Sequence, residues 1–210
     1  MPKTREFIRF FGGQTNPLLC LARTLRARAS VSNCYVHAYA HVAGYSNISV
    51  AGELKIGIRA PGFQSGKDQT LLHVRGKLMI EGNVSIGRGS RVEIGEEAVC
   101  LLADCNLNGA SDLVIRHGLT IGEGSTVSWG CQILDDDWHI LDYAGRRPRD
   151  PKIIIGKRVW IGSRALINKG VQIGDGSVVA AGAVVSGVFP AGVLIAGNPA
   201  RVIRENVTWS

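Results

Sequence analysis

The chain is poor in aromatic residues: Phe, Trp and Tyr fill only 6% of its 210 positions. A core of ordinary size must then be built from aliphatic side chains. No apolar run approaches the roughly 20 residues of a membrane-spanning helix. The opening MPKTREFIRFFGG has neither the unbroken apolar stretch nor the small-residue cleavage site of a secretory leader, so a cytoplasmic protein is expected. The five cysteines (Cys20, Cys34, Cys100, Cys105, Cys131) are odd in number and contain no C-x-x-C pair. That argues against a disulfide framework or a zinc knuckle, and for buried free thiols; no metal is expected.

What is abundant is glycine, with 27 residues, in a chain that is 45% hydrophobic and only 20% charged. Many turns around an aliphatic core are implied. The net charge of +7 is unevenly placed. Lys3, Arg5, Arg9, Arg23, Arg26 and Arg28 against Glu6 put +5 into residues 1–30. The body is close to neutral, so a nucleic-acid surface is not expected. The basic arm also holds Phe7, Ile8, Phe10, Phe11, Leu18, Leu19, Leu21 and Leu25. Such a helical arm can lie on an anionic membrane as a peripheral contact, or cap the core with its apolar face, and capping is favoured.

From Ile155 the chain reads IGKRVW, IGSRAL, INKGVQ, IGDGSV, VAAGAV, VSGVFP. The first position of each hexad is Ile or Val, and the fifth is small or β-branched until the final Phe. A helix cannot use a six-residue step, because it turns an apolar residue to about 240° from its start. One short strand plus a turn per hexad can, with the first position stacking on its equivalent in the next coil. Ile115, Ile121, Val127 and Ile133 keep the same beat upstream, as do Val74, Ile80, Ile86 and Val92. Residues 96–113 are irregular, 31–58 are β-rich but weakly phased, and 59–70 are expected to leave the coil as a loop. The beat breaks at ILDDDWHILDYAGRRPRDPKIIIG, where Ile133 and Ile155 are 22 apart. The expected division is a basic arm at 1–30, a repeat domain at 31–205 with a protruding loop at 134–152, and a tail at 206–210.

The hexads resemble those of the hexapeptide-repeat acyltransferases over roughly residues 74–205. The segment VWIGSRALINKGVQIGDGSVVAAGAVV followed by AGNPARVIR especially resembles the galactoside, maltose and xenobiotic acetyltransferase branch, whose tail many surface-polysaccharide O-acetyltransferases share. The resemblance implies an all-β fold, a left-handed parallel β-helix with three hexads per coil. It also implies a homotrimer with active sites between neighbouring prisms, acetyl-CoA as acyl donor, and a sugar or glycan acceptor.

Acetyl transfer to a hydroxyl needs a base that titrates near neutrality. Of His37, His41, His73, His117 and His139, only His139 lies in the loop that interrupts the repeat. The resemblance places the catalytic His there. Asp136 and Asp137 are candidates to orient His139 or to contact the acceptor, with Trp138 and Asp104 as further acceptor candidates. Trp138 stands where many relatives have Asn. By the resemblance, the residue after W-I-G, Ser163, offers its N–H to the oxyanion. One coil on, Ala181 lies along the pantetheine arm. Trp160 walls the cleft, and Arg201 and Arg204 approach the coenzyme A phosphates. Gly187 stands where some relatives carry a phosphate-binding Lys.

The leading expectation is an acetyl-CoA-dependent sugar O-acetyltransferase of surface-polysaccharide or lipopolysaccharide biosynthesis. The alternatives are an N-acetyltransferase of a nucleotide-linked amino sugar, a γ-carbonic-anhydrase-like metalloprotein with zinc between subunits, and a non-catalytic trimeric spacer.

Overall fold

The computed structural model describes residues 17–58, 65, 67–142, 144–145 and 149–210. Its strands are parallel except for the last pair, and they form three faces that the chain visits in a fixed order. The first face holds β1 (Cys34–Val36), the later halves of β3 (Ile48–Ile58) and β5 (Lys77–Gly87), β8 (Asn106–Leu107), β11 (Thr126–Val127), β14 (Trp160–Ile161), β17 (Val178–Val179) and β20 (Leu194–Gly197). The second holds β2 (Ala40–Ala43), β4 (Thr70–Val74), β6 (Arg91–Ile94), β9 (Asp112–Ile115), β12 (Gln132–Leu134), β15 (Leu166–Ile167) and β18 (Val184–Val185). The third takes the earlier halves of β3 and β5, then β7 (Val99–Ala103), β10 (Gly118–Ile121), β13 (Ile153–Ile155), β16 (Gln172–Ile173) and β19 (Val188–Phe189). The two 11-residue strands turn the edge between the third and first faces, which joins those faces into one sheet.

The repeat explains this geometry. First-position residues stack rung on rung: Ile56, Ile86, Leu107, Val127, Ile161, Val179 and Ile195 line the first face, all buried. Each such side chain contributes about 1.5–3 kcal/mol through burial. The fifth positions Val159, Ala165, Val171, Ser177 and Ala183 are buried as well, at the edges where only modest side chains fit. The final hexad departs because its rung is short. Val188 and Phe189 pair with Gln172 and Ile173, a smaller step than the one from Trp160 to Val178, so Phe189 belongs to the aliphatic ladder and not to an edge.

The weakly phased segments are coils too. Residues 34–58 form β1, β2 and β3, and 96–113 contribute β7, β8 and the start of β9. Their rungs are longer: Ser85 pairs with Asn106 and Arg91 with Asp112, steps of 21 against 18 for Trp160 with Val178. Extra residues at the edges destroy the six-residue beat without disturbing the ladder. Of residues 59–69, those described are 65 and 67–69, and Thr70 opens β4.

An α-helix, α1 (Pro17–Arg28), packs on the first coil. Its contact is not made by the leucines. Cys20, Thr24 and Ala27 face the core, while Leu18, Leu21 and Leu25 face outward. The reason is polar: the Val36 N–H donates to Thr24 Oγ1 (3.0 Å) and the Ala38 N–H to Cys20 Sγ (3.2 Å), so small side chains must approach the first rung. The arm residues Phe7, Ile8, Phe10 and Phe11 lie outside the described residues. All five cysteines are free and buried. Burial pushes the thiols of Cys34, Cys100 and Cys105 up to about 12, so none of these is a nucleophile at neutral pH.

Candidate active site

Gln132 pairs with Leu166 at a step of 34, where the neighbouring rung from Leu166 to Val184 needs 18. The surplus chain leaves the prism between β12 and β13, at the edge joining the second and third faces. The root of this loop is Asp135. Its buried carboxylate accepts from the backbone N–H groups of Arg116 (2.7 Å), His117 (2.8 Å) and Gly118 (2.8 Å) one coil earlier. Asp135 therefore fixes where the loop departs.

The next two aspartates extend the anchorage. Asp136 accepts from the Trp138 N–H (2.8 Å) and lies 3.2 Å from Arg116 Nε and 3.7 Å from His117 Nε2. Asp137 forms an ion pair with Lys169 on the following coil. Neither carboxylate holds His139. The contact on the imidazole is the backbone carbonyl of Asp137, 3.1 Å from His139 Nδ1. A carbonyl only accepts, so Nδ1 donates in this contact, and in the neutral ring the lone pair is then on Nε2. Trp138, with φ 56°, turns the chain so that His139 projects outward and exposed. Trp138, Ile140 and Leu141 are exposed around it. Of the loop arginines, Arg149 is exposed, and Arg146 and Arg147 lie outside the described residues.

Ser163 and Ala181 lie elsewhere, at the edge between the first and second faces. They follow β14 and β17 at equivalent positions, and the Ser163 carbonyl accepts from the Gly182 N–H (2.9 Å). The Ser163 N–H has no acceptor among the described residues. Gly162 lets this edge close up, since a methyl group added there would stand 2.6 Å from the Ala181 nitrogen. Trp160, half exposed, donates from Nε1 to Ser128 Oγ (3.0 Å) and leans on Trp209, with ring centroids 6.2 Å apart.

Trp129 joins this edge, although the sequence did not single it out. The register of β11 on β14 puts it one rung before Ser163, and the Arg164 N–H donates to its carbonyl (2.9 Å). Its indole Nε1 is buried without a hydrogen-bond partner among the described residues. The only sequence signal was a large aromatic in an edge position that small residues occupy elsewhere.

Beyond Ala181 the chain turns back through a cis Asn198–Pro199 bond into β21 (Ala200–Arg204), antiparallel to β20. Arg201 stands opposite Ala196, near the same edge as Ala181, while Arg204 stands opposite Leu194, at the other end of the strand. Both are exposed. Gly187 lies just before β19, away from Ala181. Asp104 is at the third edge, where it accepts from the Asn83 N–H (2.6 Å) and caps a turn. One chain thus holds Ser163, Ala181 and Arg201 along one edge and His139 with Asp136, Asp137 and Trp138 on another. The whole second face lies between them.

A family profile described as the hexapeptide repeat of succinyl-transferase matches residues 152–186. The chain is 46% identical over 136 residues to an uncharacterized 24.8 kDa protein in the cps region of Klebsiella pneumoniae, covering 64% of this chain and 61% of that one. It is 38% identical over 128 residues to the galactoside O-acetyltransferase of Escherichia coli (strain K12), covering 60% of each. The chain spans about three fifths of the length of these relatives. Among solved structures, the polySia-specific acetyltransferase NeuO superposes with a TM-score of 0.51 at 21% identity, covering 86% of this chain and 79% of that one, a likeness of fold. Residues 152–186 thus carry a hexapeptide repeat, and the fold is a left-handed parallel β-helix. Over 60% of its length the sequence is similar to galactoside O-acetyltransferase.

Proposed function

We propose that the chain is an acetyl-CoA-dependent O-acetyltransferase acting on a sugar hydroxyl, with surface polysaccharide or lipopolysaccharide as the acceptor class. The observation that carries this reading is His139. It is an exposed imidazole on a loop anchored by three aspartates, with Nδ1 tied to a carbonyl and Nε2 left as the base. The acceptor hydroxyl gives its proton to Nε2 while its oxygen attacks the thioester carbon. The Ser163 N–H faces the developing oxyanion. Collapse breaks the carbon–sulfur bond, and the imidazolium returns the proton to the departing thiolate.

The donor arm runs along the edge marked by Ser163 and Ala181, where small residues leave the backbone accessible, and its phosphates reach Arg201 first and then Arg204. Trp160 walls this groove. Because His139 sits on a different edge from Ser163, the reading requires two chains to complete each site, in a homotrimer. The exposed Trp138, Ile140 and Leu141 beside His139 support this, since a neighbouring prism would cover them. The relatives with named activities support a sugar acceptor.

The test is coenzyme A release from acetyl-CoA against a panel of sugars, oligosaccharides, nucleotide sugars and their amino counterparts. His139→Ala should lower turnover by about 10²-fold or more with acetyl-CoA affinity retained. Near-normal turnover in that variant would remove His139 from the chemistry. Consumption with amino sugars alone would replace oxygen by nitrogen as the attacking atom.

A further inference from the structure

Helix α1 presents the wrong side to solvent for a capping helix. Its buried positions are Cys20, Thr24 and Ala27, while Leu18, Leu21 and Leu25 are 76%, 42% and 59% exposed. These leucines are spaced three and four apart, so they form one stripe, about 120° round the helix from the buried one at roughly 100° per residue. The stripe is bounded by Arg26 and Arg28, and no acidic residue occurs in the helix. Arg28 is committed to the Cys34 carbonyl and to the Tyr35 ring. Arg26 is exposed and makes no ion pair among the described residues.

On the side of the helix next to the leucines, a cavity of about 370 Å³ opens between α1 and β2. Arg23, Arg26, His41 and Tyr45 supply its polar lining, again without an acidic group among the described residues. Arg23 reaches the Ala40 carbonyl through Nη1 (2.6 Å), while its Nε is buried with no hydrogen-bond partner among the described residues. An outward leucine stripe beside a basic hollow matches one kind of surface, apolar below and anionic above.

We propose that α1 and this cavity form a docking surface for an anionic lipid bilayer. The leucines enter the interface, and Arg23 and Arg26 take a headgroup phosphate. A second copy of the chain fits this face poorly, because a two-fold contact brings the same patch together twice, and neither the helix nor the described cavity lining holds an acidic group to oppose its arginines. The inference is independent of the acetyl-transfer reading. No helix among the described residues is long and apolar enough to cross a membrane, so this is a contact along the surface.

The experiment is co-sedimentation of the full chain with two kinds of vesicle, at low and high salt. One is phosphatidylcholine alone, and the other mixes two parts of phosphatidylcholine with one part of phosphatidylglycerol. The particle mass is followed by light scattering. The expected result is binding to the anionic vesicles only, reversed by salt, and lowered at least about tenfold in the Leu18→Ser/Leu21→Ser/Leu25→Ser variant. Arg26→Glu should weaken binding severalfold, and inorganic phosphate at millimolar concentration should not release the protein. Unchanged melting temperatures in both variants establish that they fold. Absence of binding, equal binding by wild type and the leucine variant, or release by free phosphate would overturn the proposal. So would a leucine variant whose only change is a smaller particle, which would make the face a contact between copies.

Discussion

Replacing Asp135 by Ala should cost more stability than any other change in the loop. The carboxylate is fully buried and accepts three backbone N–H groups, those of Arg116, His117 and Gly118, at 2.7–2.8 Å. The Gly118 donor is buried and has no route to water, so its loss carries about 1–3 kcal/mol. The Arg116 and His117 donors are half-buried and regain water, at about 0.5–1.5 kcal/mol each. The sum is about 2–6 kcal/mol, or near 4 kcal/mol, which in a chain of this size lowers the melting temperature by about 8–16 °C. Asp135→Asn keeps one oxygen, which can still serve His117 and Gly118 as Oδ2 does now, but turns an NH₂ toward the Arg116 N–H. Its cost should be about 2 kcal/mol. Thermal unfolding followed by circular dichroism at fixed protomer concentration reads both. Acetyl transfer measured well below either melting point should also fall, because His139 lies close behind the displaced root. An Asp135→Ala protein within about 1 kcal/mol of wild type would refute the reasoning.

Other outcomes follow from single sites. The imidazole of His37 is pushed down to about 4, by burial and then by the neighbouring Arg88 and Arg23 guanidinium groups. The unfolded chain takes up this proton near pH 6.5, so stability is full above that pH and falls as pH drops toward 4. The loss is on the order of 3 kcal/mol, and a melting-temperature series should show it shrinking in His37→Gln, which can still accept from Arg88. An unchanged pH dependence in that variant would contradict the assignment. Arg201→Ala should raise KM for acetyl-CoA about 3–10-fold with kcat unchanged, and Arg204→Ala should raise it less. Dephospho-acetyl-CoA read alongside should lose its disadvantage in whichever variant removed the phosphate contact; equal KM values for both variants and wild type would take the arginines out of the donor site.

The aliphatic ladder was legible because period six has one physical meaning in such a chain. Every first position from Ile155 to Val185 is a buried rung residue. The upstream coils were opaque for an equally simple reason. Longer and unequal steps place the same inward side chains, as Leu107 on Ile86 and Leu119 on Cys100 show, but leave no constant spacing to count. The loop could be found as a break in the beat, whereas the division of labour within it could not. Three adjacent aspartates are identical in sequence, and only the fold makes Asp135 a buried clamp, Asp136 a turn and Asp137 a partner of Lys169. Helix α1 misled because leucines are expected to face a core. The unpaired backbone groups of the first rung, served by Thr24 and Cys20, decided its orientation instead. The separation of His139 from Ser163 had no local signature, since it depends on which edge each residue's hexad turns.

That separation is also the most direct point of test. His139→Ala and Ala181→Trp, the second blocking the donor edge, should each abolish turnover when prepared alone. Co-expressed in equal amounts, they should recover about a quarter of wild-type activity per site, because random assembly then puts an intact His139 edge beside an intact Ser163 edge in one pairing out of four. A mixture as inactive as its parents, with mixed particles demonstrated by differential tagging, would mean that one chain supplies both groups and would contradict the shared site.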